Sequence, residues 1–142
     1  MFFNSPSNFN ILSTNARSLA PKIDCCVDYF KELETSLVLL TETWLFDSEE
    51  LECDIEDLEL EPGYSLIYKN RPANTRGYSA GGVAIAYKKS SISLKKIEMP
   101  GNDFEFIFSV GTMPNFTRKF IAICGYMPPA MNANAVLSLI HI

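Results

Sequence analysis

Two polar residues directly follow two apolar segments near the start of the chain, and they are the first candidates for chemistry. Asn15 follows the segment 9–14, and Glu42 follows the segment 37–41. If these segments are neighbouring parallel strands, their carboxyl ends meet at one edge of a sheet, where α/β sheets usually bind ligands. A carboxylate and an amide would then converge on a candidate ligand site. The alternative is that Asn15 caps a turn and Glu42 is a solvated loop acid.

The spacing of apolar residues predicts the elements that would position these two side chains. The segment 9–14 reads as a first strand, and the apolar run 37–41 as a strand buried on both faces. Between them, apolar residues at helical spacing predict a helix over 19–34, with Ser18 as its N-cap and Pro21 in its first turn. A strand, a helix and a strand over this length form a βαβ unit.

The rest of the chain predicts a short helix and then mostly strands. The helix is expected over 47–60, and four strands are expected over 64–69, 82–88, 104–110 and 119–126. A parallel start followed by antiparallel strands indicates an α/β or α+β sheet domain. The composition, 47% hydrophobic and 20% charged, is that of a globular core-former and excludes a disordered chain.

Charge is unevenly distributed along the 142 residues, which carry 12 basic and 17 acidic residues and a formal net charge of −5. The segment 42–61 holds ten acids and no Lys or Arg, whereas 69–96 holds seven bases and no acid. The net charge excludes a globally basic nucleic-acid-binding protein. The segment 69–96 is nevertheless a candidate contact for a polyanion, and the alternative is that both segments are solvated surfaces.

The four cysteines, Cys25, Cys26, Cys53 and Cys124, form no CxxC pair, and the chain has one histidine. The ordinary Cys/His spacing of a zinc site is therefore absent. Isolated thiols favour a reducing, intracellular compartment. The N-terminal segment lacks the basic start of a signal peptide, and no apolar run is long enough to span a membrane, so we expect no membrane partner.

The last six residues, 137–142, differ abruptly from the small-residue stretch before them. The codons CTG TCT CTT ATA CAC ATC would encode them, and this string matches the mosaic-end adapter of transposase-based sequencing libraries. We interpret these residues, His141 included, as translated adapter outside the fold. The alternative is an ordinary apolar C-terminal strand.

Several stretches, taken in order, resemble one family. They are 10–19 (NILSTNARSL), 40–45 (LTETWL), 62–64 (PGY), 70–71 (NR), 81–85 (GGVAI) and 126–129 (YMPP). Their order and spacing are similar to the endonuclease/exonuclease/phosphatase superfamily, and in particular to the apurinic-like endonuclease domain of non-LTR (LINE-type) retrotransposons. The resemblance covers about residues 9–130. It makes 9–136 the N-terminal part of such a domain, preceded by a tail over 1–8.

The resemblance implies a four-layered α/β sandwich with mixed sheets, and hydrolysis of phosphate esters with a divalent metal, usually Mg²⁺ and alternatively Mn²⁺. Glu42 matches the metal-binding glutamate, Asn15 the asparagine beside the metal and the phosphate, and Tyr126 the tyrosine that contacts the scissile phosphate. Arg71 falls where members often carry a base near DNA. Magnesium prefers hard oxygen ligands, which a carboxylate and an amide oxygen supply.

By the same resemblance, the complete protein would nick target DNA for retrotransposition. It would act in the nucleus, and a reverse transcriptase domain would follow in the same polyprotein. We expect the basic segment 69–96, with Lys88 and Lys89, to contact backbone phosphates of the DNA.

Two later motifs of the family, a Gly-Asp-Phe-Asn-like stretch and a Ser-Asp-His, do not occur in these 142 residues. They supply the residues that handle the nucleophile and one phosphate contact, so we expect the chain alone to be inactive. Met127 and Asn70 also depart from the pattern, where Arg and Asp are common. We further expect uncovered sheet faces that expose Phe104, Phe106, Phe108 and Ile121.

Two other functions stay open. One is a phosphatase of the same superfamily that acts on a phosphoinositide or another small phosphate ester. The other is an inert or partner-binding α/β fragment of a degenerate element.

Overall fold

Eight strands and one α-helix make up the part of the chain that the computed structural model describes, namely residues 9–45, 56–60, 63–70, 81–98, 105–114 and 116–126. In chain order they are β1 (Ile11–Asn15), a 3-10 helix (Ala20–Lys22), α1 (Ile23–Glu32), β2 (Leu37–Thr41), β3 (Glu56–Leu60), β4 (Tyr64–Lys69), β5 (Val83–Lys88), β6 (Ser93–Ile97), β7 (Phe106–Thr112) and β8 (Phe120–Gly125). The tail 1–8, Arg71, the interval 127–136 and the segment 137–142, which we interpreted as translated adapter, lie outside the described residues.

The strands form two sheets. The larger sheet has five strands in the order β1-β2-β5-β4-β3, and the smaller has three in the order β6-β7-β8. Within the described strands, β1 and β2 pair in parallel, and every other pair is antiparallel. The predicted βαβ start followed by antiparallel strands is confirmed, and the fold is α+β with one mixed sheet.

Alternation along β2 explains how the layers stack. Val38 and Leu40 pack against Val27 of α1, whereas Leu37 packs with Ile107 of the small sheet. A strand directs successive side chains to opposite faces, so β2 is covered by the helix on one side and by the second sheet on the other. Helix, large sheet and small sheet are therefore three consecutive layers. Within the described residues, no helix covers the outer face of the small sheet.

Two predicted helix features are wrong. Residues 56–60, the end of the helix expected over 47–60, form β3 and pair with β4. Leu58 and Leu60 alternate with acids at the period of a strand, and the turn into β4 uses Gly63 with a φ of 110°. Ser18 does not cap the first helix, because its φ is 75° and the 3-10 helix begins after Leu19 without a side-chain cap.

The small sheet differs from expectation in two ways. β6 was not predicted, because the adjacent lysines 95 and 96 interrupt the apolar alternation. Phe106 and Phe108 are 9% and 6% exposed, since their rings stack on each other. A side chain at Gly125 would collide with the Phe106 ring, so this glycine makes room for the stack. The expected exposure is confirmed for Ile121, at 68%, and Phe104 lies outside the described residues.

Candidate functional site

One edge of the large sheet collects the ends of β1, β2 and β4 and the start of β5. We call it the carboxyl edge and define it by four strand-end residues: Asn15, Thr41, Lys69 and Val83. Thr41 lies opposite both Asn15 and Val83, and Val83 lies opposite Lys69. Glu42 follows Thr41 directly, so the parallel pairing brings Asn15 and Glu42 to the same edge. The predicted strand pairing is thereby confirmed, and the chemical roles of the two residues stay predictions.

The backbone at this edge is held in an uncommon conformation. Four non-glycine residues have a positive φ: Arg17 (44°), Ser18 (75°), Glu42 (51°) and Trp44 (48°). Among the other described residues that are not glycine, Glu34 alone shares this feature. Such a conformation costs on the order of 1–3 kcal/mol per residue and persists where the surroundings enforce it. Strain of this kind concentrates at functional sites.

Backbone hydrogen bonds on both sides enforce the conformation of the segment 42–44. The four bonds run from Ser18 N–H to Glu42 O (3.0 Å), Leu19 N–H to Thr43 O (2.7 Å), Thr43 N–H to Gly82 O (3.3 Å) and Trp44 N–H to Gly81 O (2.9 Å). Thr43 is fully buried, Glu42 is half-buried and Trp44 is exposed. The segment therefore turns Thr43 inward and leaves its two neighbours accessible to solvent.

Gly82 fits this edge because any side chain would collide. Its φ is 86°, and a Cβ there would lie 2.7 Å from Thr43 Oγ1 and 3.4 Å from the carbonyl oxygen of Lys69. The Thr43 hydroxyl is buried and has no hydrogen-bond partner in the described part of the chain. Gly82 therefore allows the backbone just before β5 to pack closely against Thr43, the residue after Glu42.

Glu105 connects the carboxyl edge to the small sheet. Its carboxylate Oε2 accepts the Gly82 N–H at 3.0 Å, and its carbonyl oxygen accepts the Tyr126 N–H at 3.0 Å. Tyr126 follows β8 and packs, partly buried, against the core between the two sheets. Sequence reasoning missed Glu105, although an acid among the apolar residues at the start of a strand was an available signal.

Cys124 forms a second contact between the large and small sheets near the carboxyl edge. Its Sγ donates to the carbonyl oxygen of Leu40 at 3.4 Å across the sheets. Leu40 stands two residues before Glu42, and Cys124 stands two residues before Tyr126. Together with the Glu105 bonds to Gly82 and Tyr126, and the bond from Thr43 to Gly82, this contact puts Glu42 and Tyr126 at the same end of the sandwich. Burial raises the pKa of the Cys124 thiol to about 11, so the group is neutral at physiological pH and serves in packing.

The two predicted metal ligands differ in how their side chains are engaged. Asn15 is exposed, and its Oδ1 accepts the Arg17 N–H at 3.1 Å, so Asn15 does close a local turn. An amide oxygen has a second lone pair, which leaves this atom able to take a cation as well. In the described part of the chain, no hydrogen bond or ion pair engages the Glu42 carboxylate.

The donor set fits a hard divalent cation such as Mg²⁺ or Mn²⁺. Glu42 offers a carboxylate and Asn15 an amide oxygen, both hard oxygen ligands. Among the described residues, no three His, Cys, Asp or Glu side chains form a cluster that could hold a metal ion. Magnesium often uses only one or two protein carboxylates and keeps several waters, so a site built on Glu42 meets its needs.

The structure separates the predicted DNA-binding lysines from this edge. The Lys88 N–H donates to the carbonyl oxygen of Ser36 at 3.0 Å, just before β2 begins. Because β5 runs antiparallel to β2, Lys88 and the exposed Lys89 lie about 17 Å from Val83, at the far end of the sheet. The fold brings three other bases to the carboxyl edge. Lys69 is the first residue of the predicted basic segment 69–96 and lies opposite Val83. Arg17 and Lys22, which sequence reasoning missed, lie close to Asn15.

Comparison with known proteins identifies the fold. No protein-family profile matches the sequence, and no curated protein matches it significantly. A solved structure described as the endonuclease domain of TRAS1, a telomere-specific non-LTR retrotransposon, is similar over 94% of this chain, with a TM-score of 0.58 and 10% sequence identity. The chain spans 52% of that domain, about half its length. This similarity shows that the chain shares the fold of part of that endonuclease domain.

No helix in the described residues is long and apolar enough to cross a membrane.

Proposed function

We propose that this chain carries the metal- and phosphate-binding part of a magnesium-dependent DNA endonuclease site. What supports the proposal is the parallel pairing of β1 with β2, which puts Asn15 and Glu42 at one edge in a fold shared with a retrotransposon endonuclease domain. In this proposal the complete protein nicks target DNA in the nucleus and carries a reverse transcriptase domain in the same polyprotein.

Each candidate residue has a defined role in the proposal. The Glu42 carboxylate and the Asn15 amide oxygen hold the cation, and Tyr126 donates its hydroxyl to a phosphoryl oxygen. When bound, the cation neutralises charge on the phosphate and stabilises the leaving oxygen. The hydrogen bonds that clamp 42–44 hold the Glu42 backbone in place before the cation arrives, so little reorganisation is needed.

The site can be tested without turnover, because the chain contains a single tryptophan two residues from Glu42. Terbium(III) takes the same hard oxygen ligands and luminesces when a nearby indole transfers energy to it. We expect terbium luminescence excited through Trp44 that is competed by Mg²⁺ and lost in Glu42→Gln. The matched control is Glu34→Gln, since Glu34 is a solvent-accessible glutamate that, like Glu42, has a positive φ, of 50°.

Glu34 lies at the far end of the sheet, where its carbonyl oxygen accepts a hydrogen bond from the Asn10 side chain. Terbium luminescence that survives Glu42→Gln, or that falls equally in both variants, would contradict the metal site. For turnover, we expect no nicking of supercoiled plasmid and no hydrolysis of a soluble phosphate ester by these 142 residues, which lack the later motifs. Magnesium-dependent nicking that Glu42→Ala abolishes would overturn that expectation.

A further inference from the structure

Trp44 is an exposed aromatic side chain at the carboxyl edge of the large sheet. Its side chain is 36% exposed. The other large exposed apolar side chains in the described residues lie on α1 or its end, on β8, at the start of β1 and in the β7–β8 connection: Tyr29, Leu33, Ile121, Ile123, Ile11 and Phe116. Within that set, Trp44 alone stands at the carboxyl edge.

The backbone of Trp44 is fixed rather than free. Its φ of 48° is a rare conformation for a bulky residue, and its N–H donates to the carbonyl oxygen of Gly81 at 2.9 Å. The preceding Thr43 is fully buried and is bonded through its backbone to Leu19 on one side and to Gly82 on the other. The indole is therefore presented to solvent from a rigid segment, so little backbone conformational freedom remains to be lost when a ligand binds.

We propose that Trp44 is a stacking platform for an unstacked nucleobase next to the phosphate at the proposed metal site. The inference rests on the proposed function and deepens it, because it adds a contact to the nucleobase to a site that otherwise contacts only the phosphate. An indole face stacks on any base, and such a contact contributes about 1–3 kcal/mol per base with little sequence preference. The segment 42–44 would then supply two contacts to the same substrate: Glu42 would hold the cation at the phosphate, and Trp44 would stack on the neighbouring base.

The single tryptophan makes the test direct. The full chain is titrated, in Mg²⁺, with a fluorescently labelled single-stranded oligothymidylate and with the same backbone carrying abasic sites in place of bases. We expect quenching of Trp44 emission by the oligothymidylate only, and tighter binding of the oligothymidylate by anisotropy. Trp44→Leu should weaken its binding about 5- to 150-fold, the range that 1–3 kcal/mol corresponds to, whereas Trp44→Phe should retain most of it.

The outcomes separate this proposal from the proposed function. Equal affinity for the two oligonucleotides, or unchanged affinity in Trp44→Leu, overturns the stacking role even if Glu42-dependent terbium binding is intact. Quenching by inositol phosphate with no response to either oligonucleotide overturns it in favour of a small phosphate ester. Absence of Glu42-dependent terbium binding contradicts the metal site, and base-dependent quenching in that case would still support Trp44 as a nucleobase platform.

Discussion

The carboxylate of Glu105 accepts the backbone N–H of Gly82 at 3.0 Å, across the gap between the two sheets. The same residue accepts the Tyr126 N–H through its carbonyl oxygen at 3.0 Å. One half-buried acid thereby joins the turn that clamps the segment 42–44 to the strand end that carries the candidate phosphate contact. Glu105 is a positioning residue, because it reaches the candidate site only through Gly82 and Tyr126.

Glu105→Ala should loosen the Gly82 backbone without removing any proposed ligand. A charge-assisted bond to a backbone N–H is worth about 1.5–3 kcal/mol, so the Gly82 amide should lose protection from hydrogen exchange by at least about tenfold. Terbium affinity at Glu42 should fall by a smaller factor, since the bonds from Ser18 and Leu19 remain. The measurement is amide exchange by NMR.

Glu105→Gln is the matched variant, because its amide oxygen can still accept the Gly82 N–H. It should restore most of the protection that Glu105→Ala loses. Equal exchange of the Gly82 amide in the wild type and both variants would show that the bond does not order this turn.

Gly82→Ala should destabilise the fold more than Gly63→Ala does. Both glycines have a positive φ, of 86° and 110°, so each substitution carries the strain of a side chain in that region. A Cβ at Gly82 would also lie 2.7 Å from Thr43 Oγ1, whereas a Cβ at Gly63 meets nothing within 4 Å. We expect a difference of about 1–2 kcal/mol in the free energy of unfolding, measured by urea denaturation.

The part of the destabilisation that comes from the collision can be measured separately with Thr43→Ala, which removes the hydroxyl that the new Cβ would contact. In the double variant, Gly82→Ala should cost no more than Gly63→Ala does alone. Additive effects of Gly82→Ala and Thr43→Ala would contradict a direct contact between the two residues.

Substitution of bases at the carboxyl edge should weaken binding to a nucleic acid more than substitution of bases at the far end. The double variant Arg17→Gln/Lys22→Gln removes two charges near Asn15, whereas Lys88→Gln/Lys89→Gln removes two charges at the opposite end of the sheet. Each lost phosphate contact should lower the salt dependence of binding to an oligonucleotide by about one unit of slope. Anisotropy titrations over a series of salt concentrations measure this slope.

The two double variants have the same net charge, so each serves as the control for the other. A larger effect of Lys88→Gln/Lys89→Gln would support the sequence-based expectation for these lysines and would shift the DNA path to the far end of the sheet. Equal effects would indicate attraction by net charge alone.

The parallel start of the fold was predictable, because it depends on local patterns. The helical spacing between the segments 9–14 and 37–41, together with the right-handed crossover rule, was enough to bring Asn15 and Glu42 to one edge. The resemblance in the Glu-Thr-Trp-Leu stretch pointed to the same residues. The local spacing of apolar residues was therefore enough to predict the two strand ends on which the candidate site depends.

The other features of the site depend on how distant parts of the chain pair, and the local spacing of apolar residues does not predict that pairing. The bond between Glu105 and Gly82 spans 23 positions and joins different sheets, and Lys88 could be separated from Glu42 only once β5 was known to run antiparallel to β2. The spacing of apolar residues before Leu60 favoured a helix. The pairing of 56–60 with β4, in which Leu60 lies opposite Tyr64, shows instead that these residues form β3. Left-handed backbone at Glu42 and Trp44 leaves no signal in residue type, because neither is a glycine or an asparagine.

Stability should fall as pH rises through the range in which Cys124 ionises. Burial raises the pKa of this thiol from 9.0 to about 11, so the folded state holds its proton more tightly than the unfolded chain does. The associated stabilisation is complete below pH 9 and is lost progressively as the pH rises toward 11, by about 3 kcal/mol in total.

Urea denaturation across this range should show the loss in the wild type and a shallower decline in Cys124→Ala, which keeps every other titrating group. The difference between the two curves isolates Cys124, because tyrosine and lysine ionisation affects both proteins alike. Parallel curves would mean that the thiol is less enclosed between Leu40 and the small sheet than its 3% exposure indicates.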